Sequence, residues 1–319
     1  MEQWRWRLKG NQPPDDVIKV EGLVKRFGTL AAVDGISFSV RRGEVFGILG
    51  PNGAGKTTAL ECIEGLQKPT AGQIQVLGMD LQRDAEQVKA RIGVQLQASA
   101  YFEYLTLREI LRLFGRFYPH HVPPDELLSK VSLSEKANTT VGKLSGGQRQ
   151  RFTIAATLVN DPDVVFLDEP TTGLDPQARR SLWDFIQEIH REGRTVVLTT
   201  HYMEEAEFLC QRVAIMDRGK IVALDTPTNL VRALPTPYQV KVVAGGDASK
   251  DGLEALDCVK GVGFGEDGAF YLRSADAART LPALLTWANQ SQVRLEHLEV
   301  QPATLEDVFL ELTGHALRE

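Results

Sequence analysis

Residues 45–58 constrain this chain more than any other stretch of it. Val45-Phe-Gly-Ile-Leu49 is an unbroken apolar run, Gly50-Pro-Asn-Gly-Ala-Gly55-Lys56-Thr57 follows, and helical sequence begins at Lys56. An apolar run of this length reads as a strand buried on both faces, as in a parallel sheet. The glycines let the next turn curl until successive N–H groups converge on one anion, and the helix start adds its partial positive charge. Lys56 contributes a full charge suited to β- and γ-phosphates. The Thr57 hydroxyl is a hard oxygen of the kind Mg²⁺ prefers. The run therefore predicts a phosphate-holding turn in an α/β domain, with Gly50, Asn52, Gly53, Gly55, Lys56, Thr57 and Thr58 as candidate binding residues.

Two further buried-strand runs, Val164-Val-Phe-Leu167 and Thr195-Val-Val-Leu-Thr199, are separated by helical sequence, so the sheet is expected to be mainly parallel. Ile36-Ser-Phe38-Ser-Val40 alternates with period two and predicts a half-buried antiparallel strand. Asp168 and Glu169 close the first of the buried runs. A carboxylate there is costly without a cation or hydrogen-bond donor. Asp168 is placed to reach Mg²⁺. Glu169, expected on the opposite side of an extended chain, is placed to polarise an attacking water. Residues 98–160 have helical character: Thr106 with Glu109 forms a capping box, Leu107, Ile110, Leu111 and Phe114 make an apolar stripe, and Pro119 to Pro124 break the segment.

Pro235-Thr-Pro237 marks a boundary. Beyond it the pattern predicts strand 238–243, helix 250–257, strand 261–264, strand 269–272, helix 275–289 and strand 293–300, a βαββαβ order that reads as a ferredoxin-like plait. A last helix starts near Thr304 and stops at Gly314. The expected division is a tail over 1–16, a main domain over 17–235 with its helical insertion at 98–160, and an accessory domain over 236–319. The tail carries Trp4 and Trp6, which could suggest membrane-surface contact, and reads rather as a frayed end or short edge strand.

Composition narrows the function classes. With 43% hydrophobic and 24% charged residues the 319-residue chain has the make-up of an ordinary globular protein, and no window approaches 18 consecutive apolar residues. Its first 20 residues lack the apolar core of a secretion signal, so a cytoplasmic location is expected. Cys62, Cys210 and Cys258 are few and far apart, neither a disulfide framework nor a metal cluster. Residues 238–319 hold 7 Lys+Arg against 13 Asp+Glu, while the rest of the chain balances at 29 of each. No basic footprint points to nucleic acid, and none is expected as a partner. His120-His121 has no cysteine or carboxylate cluster beside it to make a metal site.

Leu144-Ser-Gly-Gly-Gln148 opens another helical stretch, and Ser145, Gly146 and Gly147 at its start form a second anion-binding corner. Together with the phosphate turn and the Asp168-Glu169 pair, this motif resembles the ATP-binding cassette (ABC) ATPases over residues 17–234. Gln97 looks like the family's Q-loop glutamine, with Gln95 a rival for the assignment. Asp175 looks like the D-loop aspartate, His201 like the switch histidine, and Phe27 like the aromatic residue that stacks on adenine. The resemblance implies a P-loop NTPase fold, ATP and Mg²⁺ as ligands, and a head-to-tail dimer. In it Ser145, Gly146, Gly147 and Gln148 face the ATP held by the other subunit, which is a second copy or a related chain. Lys56, Gln97, Glu169 and His201 are the implied catalytic residues, and Thr57, Gln97 and Asp168 the implied metal ligands.

The tail Thr304-Leu-Glu-Asp-Val-Phe-Leu-Glu-Leu-Thr-Gly314 and the stretch from Ser99 to Arg108 resemble ATPases of bacterial two-component exporters. That implies a separate membrane permease and a peripheral position on the cytoplasmic face of the membrane. An importer ATPase shares every core motif, and a soluble cassette protein of translation or DNA repair is the third alternative. Tyr101, Phe102 and Tyr104 lie in the permease-facing region of the family; they read either as a docking surface or as the insertion's own core.

Overall fold

The computed structural model describes residues 16–96, 101–245, 250–265 and 268–314. Gln97 and the tail tryptophans lie outside these residues. The chain divides into two compact units, one ending at Leu224 and the other running from Asp225 to Arg318.

The first unit carries β1 (Asp16–Phe27), β2 (Leu30–Arg41), β3 (Val45–Leu49), α1 (Lys56–Ile63), β4 (Ala71–Val76), β5 (Met79–Asp80), α2 (Ala85–Lys89) and β6 (Ile92–Gln95). It continues through α3 (Leu107–Gly115), α4 (Pro124–Lys130), α5 (Gly146–Thr157), β7 (Val164–Asp168), α6 (Pro176–Arg191), β8 (Thr195–Thr200), α7 (Met203–Leu209), β9 (Arg212–Asp217) and β10 (Lys220–Asp225). Two sheets form. One has the order β10-β9-β3-β8-β7-β6, and its strands β9, β3, β8, β7 and β6 pair in parallel. Every residue of β3, β7 and β8 is buried, which is why those segments read as continuous apolar or Thr/Val runs. The other sheet, β2-β1-β4-β5, is antiparallel, and there Ile36, Phe38 and Val40 point inward while Ser37 is exposed.

One core joins the sheets. Ala59, Leu60, Cys62 and Ile63 of α1 pack in a single cluster with Val20 and Leu23 of β1, Ile74 of β4, Phe46 and Ile48 of β3 and Phe166 of β7. The helix that begins at the phosphate turn is thus held from both sides, and burial of this helix fixes the turn that leads into it. In the helical stretch, Thr106 and Glu109 make the capping box and Leu107, Ile110 and Leu111 are buried. The aromatic residues before it divide. Tyr101 packs on Phe152 at 5.3 Å and on Phe114 at 6.4 Å, whereas Phe102 and Tyr104 are exposed.

The second unit opens with α8 (Pro227–Arg232), a helix that the sequence pattern does not announce, capped by Thr226. It continues through β11 (Tyr238–Gly245), α9 (Lys250–Glu254), β12 (Val259–Phe264), β13 (Phe270–Ser274), α10 (Ala277–Gln290), β14 (Arg294–Pro302) and α11 (Leu305–Thr313). The sheet order β12-β13-β11-β14, antiparallel throughout, is that of a ferredoxin-like plait. Val240, Val242, Leu272 and Leu284 form its small core.

Candidate active site

Leu49 ends β3 at the top of the parallel sheet, and the chain has nowhere to go but around. Gly50 cannot carry a side chain, because a Cβ there would lie 2.2 Å from the Met216 carbonyl oxygen. Gly55, at φ 99° on the N-cap of α1, would meet the Ala32 oxygen at the same distance. The turn is therefore clamped between the β9 end and the start of β2. It borders a cleft of about 630 Å³ lined by Phe27, Asn52, Gly53, Gly55, Lys56, Thr57, Thr58 and Glu169, with Arg218 and Gly219 of the β9–β10 turn. Phe27 is about half exposed at the cleft mouth.

Lys56 is only 4% exposed. Its ammonium donates to the carbonyls of Gly50 (2.9 Å) and Pro51 (3.1 Å) and pairs with Glu169 Oε1 at 3.2 Å. Thr57 Oγ1 donates to Asp168 Oδ1 at 3.2 Å, and Thr199 Oγ1 donates to the same oxygen. Burial pushes the Asp168 carboxyl above its ordinary range, against the pull of the Thr199 and Thr57 hydroxyls. The next residue departs from expectation. Glu169 is not extended but left-handed, at φ 45°, with its N–H donating to Thr199 Oγ1 at 2.9 Å. Its carboxylate borders the cleft beside the phosphate turn. There Thr172 Oγ1 donates to Oε2 at 3.1 Å, and His201 Nδ1 lies 3.2 Å from that oxygen. Burial alone would raise the acid, but Lys56 first and His201 second hold it below the ordinary glutamate range.

Five of the sequence candidates, Lys56, Thr57, Asp168, Glu169 and His201, thus converge. Ser145, Gly146, Gly147 and Gln148 do not join them. They line a separate cleft of about 530 Å³ with Gly173, Asp175 and Ala178, and the two clefts share no lining residue. Ser145 caps α5 in a capping box with Gln148, and Asp175 caps α6 by accepting from Ala178 N at 2.9 Å. Gln97 lies outside the described residues. Gln95, at the end of β6, donates to the Asp168 carbonyl at 3.3 Å and keeps a buried Oε1 without a partner. Two buried polar residues, Thr199 and Glu64, escape the sequence pattern. The Thr199 hydroxyl ties Asp168 to the Glu169 backbone. Glu64 is a buried carboxyl at the end of α1. A strand-end Thr two residues before the candidate switch histidine is the available signal for the first; nothing local distinguishes the second.

The oxygens of Thr57 and Asp168 suit a hard divalent cation, and a desolvated carboxylate facing a hydroxyl fits such an ion. Among the described residues no group of three His, Cys, Asp or Glu forms a further metal cluster, and no helix is long and apolar enough to cross a membrane.

Residues 33–172 match the family profile "ABC transporter", and residues 253–304 match "ABC transporter domain-containing protein-like, C-terminal domain". The chain is 39% identical to the Nod factor export ATP-binding protein I of Ralstonia nicotianae, over 98% of this chain and all of that protein. It is 38% identical to the daunorubicin resistance ATP-binding protein DrrA3 of Streptomyces coeruleorubidus, over 94% and 96% of the two. The linearmycin resistance ATP-binding protein LnrL of Bacillus subtilis is 36% identical, over 95% of this chain and all of its own. Among solved structures, an ATP-binding subunit of an ABC transporter aligns at TM-score 0.61 and 29% identity, covering 68% of this chain and 92% of that one. The dimeric ATP-binding cassette MJ0796 bound to ADP and Pi aligns at TM-score 0.60 and 28% identity, covering 66% and 98%. The chain belongs to the ATP-binding subunits of ABC transporters, and its first unit is a nucleotide-binding ATPase cassette.

Proposed function

We propose that this chain powers export through a separate membrane permease, with two ATPase subunits closing on ATP and opening after its hydrolysis. The observation that carries the reading is the split of the candidate residues into two clefts without a shared residue. A nucleotide held by Lys56 and the phosphate turn leaves the Ser145 corner of the same chain without a role. A second subunit, identical or related, would bring that corner onto the exposed side of the nucleotide. The similarity to ATP-binding proteins named for export and resistance supports the direction of transport.

The residues explain how such a site would work. Lys56 pairs with Glu169. A triphosphate offers the ammonium a more highly charged partner, and Glu169 is then relieved of the cation that keeps its acidity high. Glu169 accepts a proton from water as the water oxygen bonds to the γ-phosphorus. The bond from that phosphorus to the bridging oxygen breaks, and ADP leaves with the electron pair. His201, beside Glu169, is placed to steady the γ-phosphate. Thr57 and Asp168, with an amide oxygen from Gln97 or Gln95, would hold Mg²⁺, which when bound offsets phosphate charge. Phe27 offers adenine a ring face. Charge-assisted hydrogen bonds contribute about 1.5–3 kcal/mol each, so a few across the dimer reach the ~5.5 kcal/mol that moves a two-state equilibrium almost completely.

The test is Glu169→Gln. Its mass in solution should double with ATP and Mg²⁺ while turnover falls at least a hundredfold. A variant that hydrolyses normally removes Glu169 as the base, and one that stays monomeric with bound ATP removes the clamp. Co-purification from membranes with a permease encoded beside the gene tests the transport role.

A further inference from the structure

Tyr202 occupies the N-cap of α7 and makes no side-chain cap. That position favours Ser, Thr, Asp or Asn, whose oxygen takes up a free helix N–H. A tyrosine there is locally the wrong residue, which directs attention to what its ring touches. The Arg179 guanidinium stands 4.2 Å over the ring centroid. On the next residue back, the His201 ring lies 4.1 Å from it, tilted by 44°. The contact of His201 with Glu169 is close at 3.2 Å, yet Nδ1 lacks hydrogen-bond geometry to any partner. The ring packing with Tyr202 is therefore a second constraint on the imidazole beside the Glu169 contact.

The support under Tyr202 comes from α6. Arg179 and Trp183 are one helical turn apart on the same face of α6. Trp183 Nε1 donates at 2.9 Å to Glu205, a fully buried carboxyl in the first turn of α7. One face of α6 therefore grips Tyr202 and Glu205 together and pins the segment that presents His201. A cation over an aromatic face is attractive and directional, so Arg179 sets where the ring lies.

We infer that Tyr202 and Arg179 are positioning residues for His201, acting on turnover through the orientation of its imidazole. This rests on the reading of the chain as an ATPase with His201 at its γ-phosphate. The test compares Tyr202→Phe, which keeps the ring, Tyr202→Ser, which removes it and supplies a better cap, and Arg179→Met, in the purified full-length chain. Steady-state hydrolysis, ATP affinity and thermal midpoint are measured for each. Tyr202→Phe should keep kcat within about twofold. Tyr202→Ser should lose at least tenfold in kcat, with ATP affinity within twofold and a thermal midpoint equal to or above the parent. Arg179→Met should fall between them. The inference is overturned if Tyr202→Ser turns over normally, if Tyr202→Phe falls as far as Tyr202→Ser, or if activity drops only in step with the thermal midpoint. His201→Ala separates the two levels. If it retains activity, the ATPase reading loses its switch histidine. If it is inactive while Tyr202→Ser is normal, the positioning role alone fails.

Discussion

Glu64 ends the helix that starts at the phosphate turn, and it is buried at 2% exposure with Oε1 unpartnered. It lines a cavity of about 510 Å³ with Leu66, Ile92, Tyr101 and Phe114. Burial, and secondly the charge of Asp168, pushes its carboxyl up to about 8 from an ordinary 4.5. The folded chain therefore holds a proton that the unfolded chain releases between those two values. Stability is unaffected below pH 4.5, declines as pH rises through the window, and levels off above pH 8. At 1.36 kcal/mol per pKa unit, the 2.5 units from 4.5 to neutral pH amount to about 3 kcal/mol. Glu64→Gln removes the titration and keeps the shape. Urea unfolding of the first unit at pH 5, 6, 7 and 8 measures it. The variant should exceed the parent by less than about 1 kcal/mol at pH 5 and by about 3 kcal/mol at pH 7. A difference that stays constant across this range, or a variant less stable at pH 8, refutes the reasoning.

Lys56→Ala should lose ATP binding at least tenfold in a calorimetric titration. It should also destabilise the nucleotide-free protein by about 3–5 kcal/mol, because it leaves Glu169 buried without its cation. Gly55→Ala places a Cβ 2.2 Å from the Ala32 oxygen at a backbone angle alanine resists, so nucleotide affinity and thermal midpoint should fall together. Trp183→Phe strips Glu205 Oε1 of its 2.9 Å donor, and denaturant unfolding should show a cost of about 1–3 kcal/mol.

The α/β class, the phosphate turn and the plait order were legible in the sequence, each for a local reason. Full burial on two faces leaves an apolar run, a curled anion-binding turn needs glycines at set intervals, and a sheet packed on one side alternates. Thr106 and Glu109 announced their capping box in the same way. What lies between distant segments left no such mark. The β9 end and the start of β2 forbid a side chain at Gly50 and Gly55, and no pattern in the chain says so. The left-handed turn at Glu169 is a case in point. An extended strand end predicts opposite faces for Asp168 and Glu169, but the Thr199 hydroxyl from the neighbouring strand catches both the carboxylate of one and the N–H of the other.

Sequence by itself determined which residues could bind a phosphate and which helices would carry them, because backbone propensity and burial periodicity act over a few neighbours. Tertiary packing alone decided that Lys56 rests on Glu169, that Glu64 keeps its proton, and that Arg179 reaches Tyr202 beside His201. Those are contacts between elements brought together by the sheet order, and the energy of a buried charge depends on what surrounds it in space, which the linear order of residues does not encode.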